Sequence, residues 1–237
     1  MEFFLLLQER QGEARRVPTN PGEMGKFGAE LAARGEMRGA AGPLKPTSEG
    51  ARVRVRDGRA QVTTGPFTES HEVMIGWFAI DVPDRAAAIE VAKRCPFVHS
   101  AIVDVVAGRY ARGREATGAP QFLLLYPLDR SLPRPGESVL QDGMRQMQAF
   151  TAELGREGRL LGDGALPPTA PAVRVETKSG KTTVTDGPFA ESKEIMPGFA
   201  FIEAATQDEA IEIAKRVPHA KWGAVEVREV FQMMNAR

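Results

Sequence analysis

Gly65-Pro66-Phe67-Thr68-Glu69-Ser70-His71-Glu72 returns 122 residues later as Gly187-Pro188-Phe189-Ala190-Glu191-Ser192-Lys193-Glu194. Working outward, the register holds without a gap. About half the positions of 64–96 are identical to 186–218, among them Gly76/Gly198, Ile89/Ile211, Lys93/Lys215 and Pro96/Pro218. Upstream, 27–39 aligns with 150–162 at an offset one residue longer, so a turn has gained or lost a residue. An unnoticed duplication misassigns every element after it, which makes the repeat the first thing to settle. The chain is two copies of one domain, 1–107 and 121–237. Between them 108–120 (GRYARGREATGAP), rich in Gly, Ala and Arg and without an apolar period, reads as a linker.

Each copy spells out the same order of elements. Residues 3–7 and 122–126 are short apolar runs suited to a buried strand. A helix follows, its start marked by Asn20-Pro21-Gly22-Glu23 in the first copy and Ser138-Val139-Leu140-Gln141 in the second. Each places a capping oxygen three residues before Glu or Gln. Gly35 and Gly158 stop these helices. Strands near 36–39 and 159–161 come next, and then 52–56 and 60–64 flank Asp57-Gly58, a hairpin signature that Ser179-Gly180 repeats. A strand at 76–82 or 198–203 leads to a second helix from Asp84 or Thr206, the latter forming a capping box with Glu209. Pro96 or Pro218 ends that helix, and 102–106 or 224–230 supplies the last strand.

This order predicts an α+β fold class: two ferredoxin-like β-α-β-β-α-β domains. An antiparallel sheet with one wet face alternates apolar and polar residues, yet Phe3-Phe4-Leu5-Leu6-Leu7 and Phe122-Leu123-Leu124-Leu125 do not. Both faces must be covered. Helices hide one, so the expectation is that the two domains pack sheet to sheet as an intramolecular dimeric α+β barrel.

Lys plus Arg equals Asp plus Glu at 31 each, so no overall field draws the chain to nucleic acid or an acidic membrane, and neither is expected as a partner. Arg52, Arg54 and Arg56 form a basic stripe, but Glu176 interrupts it in the second copy and no aromatics interleave, which favours protection of a sheet edge. The single cysteine, Cys95, excludes an intramolecular disulfide framework and fits a reducing compartment. The start Met1-Glu2 lacks a basic leader and its apolar run is short, unlike a signal peptide, so the expected location is the cytoplasm. His and carboxylate spacing offers no metal site, and no cofactor is implied. Gly180-Lys181-Thr182 lacks the earlier glycine of a phosphate loop, where Val175 stands, and Gly162-Asp163-Gly164 lacks the third glycine of a dinucleotide fingerprint.

The candidate catalytic set is Asp186, Glu191 and Lys193. Asp186 precedes a Gly-Pro turn, where an Asp side chain commonly bonds backbone and holds the loop. The other reading is that Asp186, Glu191, Lys193 and Glu194 line the mouth of a cleft, where close carboxylates and a lysine shift one another's pKa and serve as acid and base. Candidate ligand-binding residues are Asp163, Glu194, Glu226, Arg228 and His71. Asp163, with Ala40 or Ala41 near its place in the first copy, serves a turn or a ligand. Glu226 and Arg228 share one side of the last strand, where they pair or bind an anion. His71 lies between Glu69 and Glu72, which could raise its pKa. His219, after the helix-ending Pro218, reads as a loop residue.

The run Thr185-Asp186-Gly187-Pro188-Phe189-Ala190-Glu191-Ser192-Lys193-Glu194, with Gly198-Phe199 and Val225-Glu226-Val227-Arg228 after it, resembles the DGPF group of YCII-related proteins. The resemblance covers all of copy two and, more weakly, copy one, where Thr64 replaces the Asp and His71 the Lys. It implies a single domain that dimerises into an α+β barrel, so this chain resembles a fused dimer: a monomer acting as pseudo-dimer, with higher oligomers allowed. Proteins of this fold include small-molecule isomerases and a dehydrochlorinase, and DGPF genes often lie beside those for extracytoplasmic-function sigma factors. The resemblance therefore implies an unidentified small-molecule ligand, with acid-base chemistry of isomerase or lyase type in a cleft. Its alternative is a non-catalytic sensor or accessory protein whose partner is such a sigma factor. In better understood YCII-like enzymes a His on the first helix pairs with an Asp. The histidines here, His71, His99 and His219, lie outside both first helices, so that dyad does not carry over. Loss of the Asp at Thr64 points to one site, in copy two.

Overall fold

The computed structural model describes residues 1–11, 22–67, 72–131, 136–167, 172–187, 189 and 194–231. Copy one runs through β1 (Glu2–Arg10), α1 (Gly22–Ala33), β2 (Met37–Pro43), the hairpin β3 (Ala51–Arg56) and β4 (Arg59–Thr64), β5 (Glu72–Asp81), α2 (Arg85–Arg94) and β6 (Ile102–Ala107). The expected linker contains a strand, β7 (Arg109–Arg112). Copy two follows with β8 (Gln121–Leu125), β9 (Leu128–Asp129), α3 (Glu137–Arg156), β10 (Leu160–Ala165), the hairpin β11 (Val173–Lys178) and β12 (Lys181–Asp186), β13 (Glu194–Ile195), β14 (Gly198–Glu203), α4 (Gln207–Arg216) and β15 (Val225–Glu229).

Local chemistry accounts for most of these boundaries. Both hairpins turn on two residues of positive φ, Asp57 at 50° with Gly58 at 73° and Ser179 at 50° with Gly180 at 76°, a twist that matches the flanking strands. Gly35 and Gly158, at φ 68° and 67°, end α1 and α3 as expected. The Asp84 carboxylate accepts the Ala87 N–H at 2.8 Å, and the Thr206 hydroxyl accepts that of Glu209 at 3.2 Å. The Glu209 carboxylate returns to the Ala205 N–H at 2.5 Å, one residue before the position a capping box uses. The start of α3 departs from expectation. Gly136 stands at the cap without a side-chain bond, so Ser138 lies inside the first turn, where Glu137 supplies the charge the helix dipole favours. Pro197 explains another difference between the copies. It replaces Ile75 and has no N–H for the ladder, so the long β5 of copy one is split into β13 and β14 in copy two.

The strand order shows an exchange that the sequence order hides. One sheet runs β12-β11-β6-β1-β5-β2 and the other β4-β3-β15-β8-β14-β10-β7. Within each, four strands of one copy take the ferredoxin-like order fourth, first, third, second, but the hairpin beside them belongs to the other copy. The compact units are accordingly interleaved along the chain: Met1–Pro43, Ser70–Tyr110 and Leu166–Ser192 form the first, and Leu44–Glu69, Ala111–Ala165 and Lys193–Arg237 the second.

Each borrowed hairpin is part of the core. In the first unit Phe3, Leu5 and Leu7 pack with Phe27 and Leu31 of α1 and Ala88 and Val91 of α2, and Val173 and Val175 of β11 join them. In the second, Ala51 and Val53 of β3 join Phe122 and Leu124, Phe150 and Leu154 of α3, and Ala210 and Ile213 of α4. The face away from the helices is buried as well, through Phe4, Leu6 and Trp77 in the first unit and Leu123, Leu125 and Phe199 in the second. That is why the first strands do not alternate. Cys95 sits in the first core, where burial pushes its thiol up to about 12, so it acts as packing. Among the described residues no helix is long and apolar enough to cross a membrane.

Candidate functional site

On the face away from the helices, each unit buries an arginine of the borrowed hairpin against carboxylates of the resident copy. In the first unit Arg174 and Asp104 are cross-strand partners. Arg174 donates from Nε and Nη2 to the two Asp104 oxygens at 2.9 and 3.0 Å, and from Nη1 and Nη2 to those of Glu72 at 2.7 and 2.8 Å. The Gln8 amide donates to Asp104 at 2.6 Å. The Phe189 ring of the Gly-Pro-Phe block lies 4.1 Å from the guanidinium carbon, in cation–π geometry. Burial works against the charge of Arg174, but bonds to Asp104 and Glu72 outweigh it and hold the guanidinium above its ordinary value. Burial pushes the Asp104 carboxyl up, and Arg174 pulls it back.

The second unit repeats the arrangement with the copies exchanged. Arg52 donates from Nε and Nη2 to Glu226 at 3.0 and 2.9 Å, and from Nη1 and Nη2 to Glu194 at 3.0 and 2.9 Å, beneath the Phe67 ring at 4.6 Å. Burial acts to lower Arg52, and the charges of Glu226 and Glu194 raise it overall. Arg228 bonds the other Glu226 oxygen at 2.9 Å and the Lys45 carbonyl at 3.0 Å. Arg52, Arg174 and Arg228 are at most 2% exposed. Arg52 therefore does not guard an edge, contrary to expectation: its strand is interior, and β4 is the edge.

The structure thus brings Glu194, Glu226 and Arg228 together, joined by Arg52, and sets Asp186 and Asp163 apart from them. Asp186 is 71% exposed at the end of β12 and pairs with Arg85. Glu191, Lys193 and His71 lie outside the described residues. Thr117 holds Glu203 through its N–H at 2.7 Å and hydroxyl at 2.9 Å, and Arg114 adds an ion pair. Burial favours the neutral acid there, yet these bonds hold the Glu203 carboxyl below its usual range. An open groove of about 370 Å³ runs past Glu157, Arg159, Glu209 and Arg216. Its charges neutralise one another, Arg216 with Glu157 and Arg159 with Glu209. Among the described residues no three His, Cys, Asp or Glu side chains could hold a metal ion.

Asp163 lies elsewhere, on the helix side of the second unit. It is the strand partner of Ala200, whose side chain is in the helix-facing core. Tyr126 shares that face, continuing the alternation of Phe122 and Leu124, and its N–H bonds the Gly198 carbonyl at 3.1 Å. Gly198 is demanded by the neighbouring strand rather than by this ring, since a Cβ there would stand 2.7 Å from the Gly164 carbonyl oxygen. The His219 ring centroid is 5.6 Å from that of Tyr126, and His219 Nε2 lies 3.1 Å from the Pro127 carbonyl oxygen. Gly223 permits this approach, because a Cβ would come within 2.6 Å of Nε2. Burial lowers His219 below its ordinary value, so the ring is neutral and Nε2, facing an oxygen that only accepts, carries the proton. Burial, then the Asp163 charge, push the Tyr126 phenol up, so it stays protonated. His219 thus sits in the connection after Pro218, as expected, but in a 3₁₀ turn (Pro218–Lys221) that buries its ring.

The repeat contained a signal for this group. By register Leu7, Phe97, Ala41 and Phe78 of copy one stand where copy two has Tyr126, His219, Asp163 and Ala200. Three apolar positions have become polar, and a ring has been withdrawn. The YCII-related domain pattern matches residues 1–108 and again 122–234. A protein of Rhizobium meliloti (strain 1021), described as uncharacterized, is 38% identical over 87 residues, 36% of this chain and 70% of that relative.

Proposed function

This chain belongs to the YCII-related family in two tandem copies, and from that premise we propose that it binds a small molecule at one site, on the helix side of the second unit around Tyr126, Asp163 and His219. The observation that carries the reading is the asymmetry between copies: the same fold positions are polar in one and apolar in the other. Acid-base chemistry of the isomerase or lyase type belongs to this proposal. Asp163, half-buried beside a phenol that keeps its proton, is the base, and the phenol is the hydrogen-bond donor to developing negative charge. Asp186 has no such setting, because its carboxylate is exposed and its ion pair with an exposed arginine is solvent-screened. The test is native mass spectrometry of the intact protein with Asp163→Asn and Tyr126→Phe beside it. A bound molecule carried by the native chain and lost from both variants is expected; retention by both sinks the reading.

The proposal also takes the chain as a fused form of the dimer expected of single-copy relatives, including its sheet-on-sheet barrel. What supports it is that each sheet is completed by the other copy's hairpin and is buried on its apolar second face. Halves 1–108 and 122–237 expressed alone should self-associate or fail to fold. Two stable soluble monomers would remove the fused-dimer reading.

A further inference from the structure

The outer edge of β4 is open. The strand ends its sheet on one side, and among the described residues no strand pairs beyond it. Its register with β3 runs unbroken from Ala51 with Thr64 to Arg56 with Arg59, without a bulge. Beyond that register the Gly65 N–H bonds the Gly50 carbonyl at 3.0 Å, so the ladder bonds alternate onto Thr63, Gln61 and Arg59. The N–H and C=O groups of Ala60, Val62 and Thr64 therefore point outward. Sheets usually blunt such an edge with a proline, a bulge or a charge in mid-strand. Here the middle of the strand is Ala60-Gln61-Val62-Thr63, every residue of β4 is exposed, and Val62 is 43% exposed.

Charge says what kind of strand fits. Arg56 and Arg59 are directly opposed across the hairpin, an arrangement that like charges disfavour. Among the described residues neither meets a carboxylate; Arg56 donates to the Val55 and Lys221 carbonyls at 3.4 and 3.1 Å. The other hairpin differs, since there Lys178 pairs with Glu176 at 3.0 Å. Faces follow from the register. Val62 opposes Val53, a member of the helix-facing core, so Val62 lies on that face and Arg59 lies on the other with Arg56. A strand docked about 4.8 Å away, with apolar and acidic residues in alternation, sets the first beside Val62 and the second beside Arg59. Two copies meeting through this edge would instead bring two basic hairpins together.

We propose that the outer edge of β4 is a docking site for an extended acidic segment of a partner protein, which adds a strand beside 60–64 and turns its carboxylates toward Arg56 and Arg59. The backbone groups supply affinity, and the arginines select the charge.

The probe is a fluorescently labelled octapeptide of alternating glutamate and valine, titrated into the full-length protein and followed by anisotropy and amide hydrogen exchange. Two further peptides separate the causes. Lysine in place of glutamate reverses the charge, and proline in place of valine keeps the charge but removes strand pairing. The glutamate-valine peptide should bind saturably, protect the amides of Ala60, Val62 and Thr64, and weaken as salt rises. The other two should bind about tenfold more weakly or worse. Arg59→Glu should weaken binding of the glutamate-valine peptide about tenfold. Val62→Pro removes one outward N–H without touching a bond to β3, and should weaken it by a similar factor, about tenfold. Should Val62→Pro melt early, the peptide series and Arg59→Glu decide alone. Equal binding of the proline peptide, or full binding by a folded Val62→Pro, would show attraction by charge alone, as for any polyanion, and overturns the docked strand. Equal binding of the lysine peptide, or no loss with Arg59→Glu, overturns the acidic partner. Failure of all three peptides to bind overturns the proposal outright, and self-association of the native chain that Val62→Pro abolishes overturns it in favour of a second copy.

Discussion

The two buried ionic clusters share a design and differ in charge. Each sets one hairpin arginine between two carboxylates under a phenylalanine. In the second unit Arg228 adds another buried cation on Glu226; in the first, Val106 occupies that position and the additional polar contact is the neutral Gln8 amide. Arg10 comes only within 4.0 Å of Glu72 and bonds Glu176 instead. Two carboxylates thus face one buried arginine in the first unit and two arginines in the second. Such clusters need not add net stability over an apolar core, but breaking one strands a buried charge, and that makes them strong selectors of which hairpin docks and in which register. The difference teaches that the first unit depends on its borrowed arginine more than the second does.

The largest expected effect tests that dependence. Arg174→Ala leaves Asp104 and Glu72 buried without their cation and should cost about 3–5 kcal/mol, whereas Arg52→Ala, with Arg228 still on Glu226, should cost about half as much. Urea denaturation followed by hydrogen exchange in each sheet reads the two values; equal losses would break the comparison. Next come the aromatic covers. Phe189→Leu and Phe67→Leu should each cost about 1–2 kcal/mol, from lost cation–π attraction and packing, with the larger loss at Phe189, whose ring lies nearer its arginine.

A third comparison concerns pH. Burial depresses His219 in the folded state, so below its unfolded pKa of about 6.5 the unfolded chain binds the proton that the folded chain refuses. Stability from this group is full above that pH and falls as pH drops toward the folded value. His219→Phe, which copies Phe97 of the first copy, should flatten the profile between about pH 5 and 6.5. Melting curves of both proteins across that range decide it, and parallel profiles would mean that His219 is not held neutral. The smallest effect is expected at Asp186→Asn. Its ion pair with Arg85 is solvent-screened, so stability should change by no more than about 0.5 kcal/mol, far less than at Arg174 on the neighbouring strand.

Local elements were legible because their causes are local. Asp57-Gly58 and Ser179-Gly180 specify their turns through φ, and Gly35 and Gly158 stop helices for the same reason. Asp84 and Thr206 cap helices with oxygens three residues from their donors. The site was only partly legible. Asp163 stands out for its place between glycines, and Glu194, Glu226 and Arg228 for their charge, but Tyr126 reads as one more member of an apolar strand. Arg52 reads as an edge charge because Arg54 and Arg56 continue it as a basic stripe, and Arg174 has no sequence signal of its own.

By itself, then, the sequence determined the duplication, the α+β class, the order of elements and the inequality of the copies, because repeats, turn chemistry and apolar periods act over a few residues. Tertiary structure alone decided which sheet each hairpin joins. A hairpin's own residues favour its turn equally in either partner sheet, and only the carboxylates it meets, Glu226 for Arg52 and Asp104 for Arg174, lie far enough along the chain to choose. It also decided that the Gly-Pro-Phe block, the most legible stretch of the chain, covers a buried arginine with its phenylalanine, while the polar group beneath the helices was assembled from β8, β10 and the turn after α4.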